Sequence, residues 1–380
     1  MKVVMVSNGL SHHQVPLCDW LSAHVDFIYI ATKPISKERL GMGYADLNEK
    51  KPYVLCSYKD KENHQYALTL INQADFVISG SVPLGMVIQR VLCRKYIFWA
   101  SERIYKDLQI SWKMKLFWHL AISLANKRKT FLLAASAYSA NDFSHFGLPQ
   151  CQMLKWGYFP PIVNTDGGIK ENNSIIWVGR FIDWKHPEYA LQMALRLKKK
   201  GIPFKLTMVG DGALAQQLKD YCHDNDLTEL VSFTCFLLNS EIHRLMAKTG
   251  IMIATSDFQE GWGAVINEAM GNACAVVASH AMGATRFLIK DGINGFIFKS
   301  GDVDDLTEKV ERLLTDPELQ AEIGKRAKTT ILNEWNGEKA GERLLKIMEQ
   351  LHQGKKAEYP AEGVCSQAPL LDNQWHGGGR

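Results

Sequence analysis

Short apolar runs separated by helix-like segments recur through the first part of this chain, and the same rhythm then begins again in the second part. Val3 to Val6, Phe27 to Ile30, Phe76 to Ile78, Ile97 to Trp99 and Phe131 to Ala134 alternate with helix-like stretches such as Val15 to His24 and Gln65 to Asn72. Continuous apolar runs fit strands covered on both faces, and parallel strands need a crossover helix between them. After Asn172 the pattern resumes with strand candidates Ser174 to Val178, Lys205 to Val209, Val231 to Phe233, Ile251 to Ala254 and Ala275 to Ala278, with helices over Pro187 to Lys199 and Ala213 to His223. The fold class predicted is α/β, with two doubly wound Rossmann-like domains. A chain of 380 residues is too long for one compact core, which agrees with two. Leu154 to Gly168 contains Gly157, Pro160, Pro161 and Gly167-Gly168 and reads as the linker. The boundary is therefore placed near Pro160, giving domains 1–160 and 161–336. Residues 337–352 hold a terminal helix, Glu338 to Leu351, expected to return to the first domain. The polar, glycine-rich segment 353–380, ending His376-Gly377-Gly378-Gly379-Arg380, reads as a disordered tail.

The formal net charge is +4, from 44 Lys+Arg against 40 Asp+Glu, so nothing overall demands a nucleic-acid partner, and no RNA-binding motif is present. The eight cysteines form no Cys-x-x-Cys pair or zinc-like cluster and read as reduced. The chain enters its first strand without a long apolar leader, which predicts a cytoplasmic protein. Charge is concentrated locally. Arg103 to Lys129 carries Arg103, Lys106, Lys113, Lys115, Lys127, Arg128 and Lys129 against Asp107 alone, interleaved with Trp112, Met114, Phe117 and Trp118. That composition suits peripheral contact with an anionic membrane surface, and equally a core helix with solvated lysines.

The candidate chemistry lies mostly in the second half. Glu260-Gly261-Trp262-Gly263-Ala264 leads from a strand through a tight turn into a helix carrying Glu268. A helix start uncluttered by side chains suits a diphosphate, and carboxylates accept hydrogen bonds from sugar or ribose hydroxyls. Val178-Gly179-Arg180 with Lys185 places two cations just past a strand end, where a guanidinium fork and an ammonium can neutralise one diphosphate and replace a metal ion. Met208-Val209-Gly210-Asp211-Gly212 is another strand-turn-helix junction, with Asp211 available to cap the helix. Asp291-Gly292-Ile293-Asn294-Gly295 adds a further turn, more structural than ligand-binding in character. Asp224-Asn225-Asp226 has the spacing of a metal-binding Asp-x-Asp, but its place at a helix end favours turn or capping carboxylates. In the first half, the loop Ser7-Asn8-Gly9-Leu10-Ser11-His12-His13 follows the first strand, and Glu102 follows another. Gly9, His12, His13 and Glu102 are the acceptor-side candidates, with packing or helix capping as the competing roles.

In this order, the motifs Val178-Gly179-Arg180 with Lys185, Val209-Gly210-Asp211-Gly212, Glu260 through Glu268-Ala269-Met270, and Asp291 to Gly295 resemble those of the family 4 retaining glycosyltransferases. The resemblance implies a GT-B architecture, with two Rossmann-like domains facing a central cleft and a C-terminal helix packed back on the first. It implies transfer of a sugar from a nucleoside diphosphate donor, UDP- or GDP-linked, to a hydroxyl of a glycan or lipid-linked acceptor. Retained configuration, no metal or cofactor requirement, and a place in cell-surface polysaccharide or lipopolysaccharide assembly come with it. By the same resemblance Arg180 and Lys185 bind the diphosphate, Glu260 approaches the transferred sugar and Glu268 binds the ribose, so that Glu260, Arg180 and Lys185 are the catalytic candidates. Gly179, Gly210, Gly261, Trp262, Gly263 and Ala264 complete the donor site. Cys235, Ala273, Ala275 and Phe287 stand where relatives commonly carry glycine, glycine, proline and glutamate. The competing functions are a sugar-nucleotide epimerase or hydrolase of the same architecture and a non-catalytic glycan-assembly protein.

Overall fold

The computed structural model describes residues 1–36, 46–105, 112–163 and 170–376. Lys106, Asp107, Gly167-Gly168 and Gly377 to Arg380 lie outside the described residues. The chain forms two compact units: Met1–Pro161 with Glu334–Asp372, and Ile162–Asn333 with the chain from Asn373 onward.

The first unit is built on a seven-stranded sheet of β1 (Lys2–Ser7), β2 (Asp26–Ala31), β3 (Val54–Cys56), β4 (Phe76–Ser79), β5 (Tyr96–Ser101), β6 (Thr130–Ala134) and β7 (Met153–Lys155). Its order is β3-β2-β1-β4-β5-β6-β7, and every pairing is parallel. Helices Val15–His24, Lys61–Gln73, Ile88–Leu92, Trp112–Leu124 and Ser139–Ser144 cross between the strands. Val3, Val4, Val6, Phe76, Val77, Ile78, Ile97, Phe98, Leu132 and Leu133 are fully buried, each side chain contributing about 1.5–3 kcal/mol through removal from water.

The second sheet holds β8 (Glu171–Val178), β9 (Lys205–Val209), β10 (Val231–Thr234), β11 (Thr249–Ala254), β12 (Ala275–Ser279) and β13 (Phe296–Phe298). It runs β10-β9-β8-β11-β12-β13, again parallel throughout. Helices Pro187–Lys199, Ala215–Asp224, Asn239–Lys248, Val265–Gly271, Thr285–Leu288, Val303–Thr315 and Pro317–Glu334 complete the unit. Counted from its own first strand, this is the doubly wound order 3-2-1-4-5-6 of dinucleotide-binding folds, with its switch point between β8 and β11. At a switch point the loops leave neighbouring strands in opposite directions and open a crevice at the strands' carboxyl ends.

The terminal helix Gly337–His352 lies on Val15–His24 within the first unit. Two glycines permit the approach: a Cβ on Gly337 would stand 2.5 Å from Leu17 N, and one on Gly341 would stand 2.3 Å from Trp20 Cε3.

Three expectations need correction. The segment after residue 352 is ordered as far as it is described. Lys155 N–H donates to Ser366 O at 2.7 Å, Cys365 N–H to Lys155 O at 2.8 Å and Ala368 N–H to Met153 O at 2.8 Å. Val364, Cys365 and Ala368 are thereby buried along the exposed edge of β7. Satisfying an edge strand outweighs the polar composition that suggested disorder. Farther on, Asn373 O lies 3.3 Å from His280 Nε2, and the Trp375 ring lies 5.7 Å from the Arg286 guanidinium. The second correction is that β7 occupies the start of the presumed linker. The third is that Arg103 does not belong to the basic surface: it is buried, with its guanidinium 4.6 Å from the Tyr138 ring.

Candidate functional site

Around the second switch point, the loops after β8, β9, β11 and β12 are drawn together by backbone contacts that leave no room for side chains. Gly179 N–H donates to Val209 O at 3.0 Å, and Phe181 N–H to Asp211 O at 2.9 Å. A Cβ on Gly210, at φ +144°, would stand 1.8 Å from Gly179 O. Only glycine meets both the steric and the dihedral demand. Asp211 does not cap the next helix. Its carboxylate accepts from Gly212 N–H at 2.7 Å, and the helix Ala215–Asp224 begins after Leu214 with no side-chain cap.

Lys185 is fixed from beneath. Buried Trp177 on β8 donates Nε1–H to Thr255 Oγ1 at 2.8 Å, and Thr255 donates to Lys185 O at 2.7 Å. The Lys185 ammonium is ion-paired with Glu260, which also accepts from Ser256 Oγ–H at 3.1 Å. With the side chains of Lys185 and Glu260 only 16% and 12% exposed, the pair is sheltered, and loss of either partner would leave a poorly solvated charge. Arg180 is exposed on the same loop. Its guanidinium lies 5.6 Å from the Trp184 ring, and Lys185 Nζ lies 4.7 Å from that ring. One indole thus gathers both cations, a guanidinium and an ammonium of the kind that can hydrogen-bond a diphosphate, with the ammonium paired to Glu260.

Glu268 sits on the short helix Val265–Gly271, and burial pushes its carboxyl up to about 7. Gly263, at φ +92°, makes the turn before this helix. Trp262, expected among the donor residues, has its ring buried. It donates Nε1–H to Asn267 Oδ1 at 2.8 Å while its carbonyl accepts from Ala284 N–H at 2.9 Å. Its ring therefore braces the helix start.

Asp224 and Asp226 precede β10, so they stand at the amino end of the sheet, opposite the loops just described. Their side chains are 75% and 94% exposed, Asp226 has φ +51°, and its N–H closes the helix end on His223 O at 3.1 Å. Asp291 to Gly295 likewise precede β13. Asp291 accepts from Ile297 N–H and Asn294 from Lys290 N–H, both at 2.7 Å, which makes the turn structural.

In the first unit, three acceptor-side candidates draw together. The His12 and His13 rings are 3.6 Å apart, and His13 stacks on Tyr158 at 5.7 Å. Tyr158 Oη–H donates to Glu102 at 2.6 Å. Glu102 thus has a side-chain partner in this group. Gly9 stands apart, its carbonyl accepting from Tyr29 Oη–H at 2.8 Å. Tyr158 went unnoticed in the sequence because it sits in a glycine- and proline-rich stretch that looked like linker alone. Ser256 and Thr255 were also missed, since a hydroxyl at a strand end has no distinctive spacing.

Residues 164–330 match the family model described as glycosyl transferases group 1. Alpha-D-kanosaminyltransferase from Streptomyces kanamyceticus is 26% identical over 184 residues, covering 48% of this chain and 47% of that protein. GDP-mannose-dependent alpha-(1-6)-phosphatidylinositol monomannoside mannosyltransferase from Mycolicibacterium smegmatis is 23% identical over 270 residues, covering 66% and 70%. The chain thus spans about half the length of the kanosaminyltransferase. Among solved structures, Anabaena Alr3699/HepE in complex with UDP has a TM-score of 0.69 at 18% identity, covering 93% of this chain and all of that one. The lipopolysaccharide outer core galactosyltransferase WaaB has a TM-score of 0.63 at 17% identity, covering 87% and 95%. These likenesses show the GT-B fold. Over its second unit, this chain is similar to the glycosyl transferases group 1 family.

Proposed function

We propose that this protein transfers a sugar from a nucleoside diphosphate, UDP- or GDP-linked, to a hydroxyl of a glycan or lipid-linked acceptor, with retention of anomeric configuration and without a metal ion. The observation that carries the reading is that Arg180 and Lys185 share the Trp184 ring while Lys185 is ion-paired with Glu260, at the carboxyl ends of β8 and β11. Two cations there can take up the charge that grows on a departing diphosphate, the role a metal ion would otherwise have. In this account the donor diphosphate takes Lys185 as a partner, while Glu260 orients the transferred sugar through its hydroxyls. Glu268 accepts from the ribose. The leaving phosphate assists attack from the same face, and no enzymic nucleophile is required. His12, His13 and Glu102 serve the acceptor.

The acceptor-binding unit also presents a surface suited to the cytoplasmic face of a membrane. On the helix Trp112–Leu124, the residues Trp112, Leu116, Leu120 and Leu124 fall at four-residue spacing and are 69%, 49%, 49% and 43% exposed. Lys113, Lys115, Lys127 and Arg128 flank them. The opposite face is packed, with Trp118 against Trp99 at 5.2 Å and Phe143 at 4.6 Å. An apolar ladder bordered by cations fits the boundary of an anionic bilayer, where lipid-linked intermediates of cell-surface polysaccharide or lipopolysaccharide assembly are found. Among the described residues, no helix is long and apolar enough to cross a membrane.

The test is a transfer assay with UDP- and GDP-sugars and glycan or lipid-linked acceptors in the presence of chelator. Its readouts are release of nucleoside diphosphate and the anomeric configuration of the product. Acceptor-dependent transfer with retention supports the reading. Hydrolysis or epimerisation alone, inversion, or loss of activity in chelator would overturn it.

A further inference from the structure

The residue after Lys185 adds a further side-chain tie between the cation-bearing loop and the carboxylate-bearing loop, and the mechanism above does not use it. His186 follows a single 3-10 turn, Asp183–Lys185, and adopts the left-handed conformation with φ +48° and ψ +53°. A non-glycine residue there is strained unless its side chain is held. The imidazole is held on three sides. Nδ1 lies 2.7 Å from Glu188 Oε1, Nε2 lies at an ion-pair distance of 3.5 Å from Asp257 Oδ2, and the ring stacks on Tyr189 at 4.5 Å. Asp257 belongs to the loop that carries Ser256 and Glu260. It is joined to the Lys185 turn a second time, since Asp257 N–H donates to Trp184 O at 3.0 Å.

Two carboxylates can each accept but not donate, so both contacts are satisfied only when both ring nitrogens carry hydrogen. A neutral imidazole would present a lone pair to one of the carboxylates. We propose that His186 is a positioning residue for the donor site: as an imidazolium it bridges Glu188 and Asp257, and so holds the Lys185 turn against the loop that carries Glu260. The titratable groups facing the ring are Glu188 and Tyr189 from its own helix and Asp257 from the loop after β11. Burial lowers the affinity of His186 for its proton, but the two carboxylates outweigh it and the net shift is upward. The bridge is complete below the ordinary histidine value and is lost as pH rises through the raised one. The inference rests on the donor-site reading above.

The experiment compares wild type with H186G and H186N, because glycine and asparagine both tolerate the left-handed conformation and neither carries charge. Binding of UDP-glucose and GDP-mannose is measured by calorimetry from pH 5.5 to 8.5. Neither donor titrates in that range, and the titration of Glu268 cancels in the ratio of variant to wild-type dissociation constants. Both variants are expected to bind about fivefold more weakly at pH 6, with the ratio approaching one at pH 8.5, in keeping with the loss of one sheltered charge bridge. Side-chain NMR of the unliganded protein is expected to give His186 a pKa above the ordinary histidine value, falling in D257N and in E188Q. A ratio that does not change with pH, or a His186 titration unmoved in both carboxylate variants, would overturn the inference alone. Failure of wild type to bind either donor at any pH would overturn the donor-site reading, and this inference with it.

Discussion

Replacing Glu268 with glutamine is expected to stabilise the folded protein at neutral and alkaline pH while weakening nucleotide binding. A carboxyl held at about 7 instead of 4.5 corresponds to about 3 kcal/mol of ionisation penalty in the folded state, an upper value because part of the side chain remains open to solvent. The sign follows from proton occupancy. Between 4.5 and about 7 the unfolded chain has released the proton that the folded chain still holds, so stability declines as pH rises through this window and levels off above it. Glutamine has no such window. Chemical denaturation of wild type and E268Q at pH 4 and pH 8 should therefore show nearly equal stability at pH 4, with the variant ahead by up to about 3 kcal/mol at pH 8. Binding should move the other way. A ribose hydroxyl donating to a carboxylate is worth about 1.5–3 kcal/mol, and a neutral amide oxygen recovers only part of that, so UDP or GDP should bind about tenfold more weakly to E268Q. Opposite changes in stability and affinity from one substitution are characteristic of a desolvated ligand-binding group. Equal stability at pH 8, or unchanged nucleotide affinity, would refute the assignment.

Two further outcomes follow from other parts of the molecule. Ala273 has φ +58°, in the left-handed region. Relief of left-handed strain should make A273G more stable by about 1 kcal/mol in denaturant titration, and loss of stability would contradict this account of the turn. Serine at Trp112, Leu116 and Leu120 together should abolish co-sedimentation with vesicles containing phosphatidylglycerol without lowering the melting temperature. Wild-type binding should fall steeply with salt, and should be weak on phosphatidylcholine alone, because each nearby cation contributes about 1 kcal/mol on an anionic surface.

Much of the fold was legible because parallel strands covered on both faces are continuous apolar runs. Val3–Val6, Ser174–Val178 and Lys205–Val209 were readable for that reason. The three-residue strands β3, β7 and β13 escaped, because three residues carry no measurable periodicity and a sheet edge relaxes the demand for apolar side chains. The ordered tail escaped for a related reason: its stability comes from pairing with β7, a partner some two hundred residues away, rather than from its own composition. At the candidate site, glycines with cations just beyond strand ends drew attention to Gly179, Arg180, Lys185 and Gly210, which the structure places on the loops after β8 and β9. Asp211 was read as a helix cap, but a tight glycine turn turned its carboxylate back on Gly212. Trp262 was read with the ligand-facing residues, whereas its Nε1–H finds Asn267 inside the fold. His186, Asp257 and Tyr158 depend on contacts between loops, which spacing along a sequence does not encode.

The central claim, that Arg180 and Lys185 neutralise a donor diphosphate beside Glu260, is tested most directly by calorimetric titration of UDP and GDP into wild type, R180A and K185A in the presence of chelator. The account predicts that at least one nucleotide binds the wild type and that each alanine variant binds it about tenfold or more weakly, because each loses a charge-assisted hydrogen bond to phosphate. Wild-type affinity in both variants, or binding that requires a divalent metal ion, would contradict it.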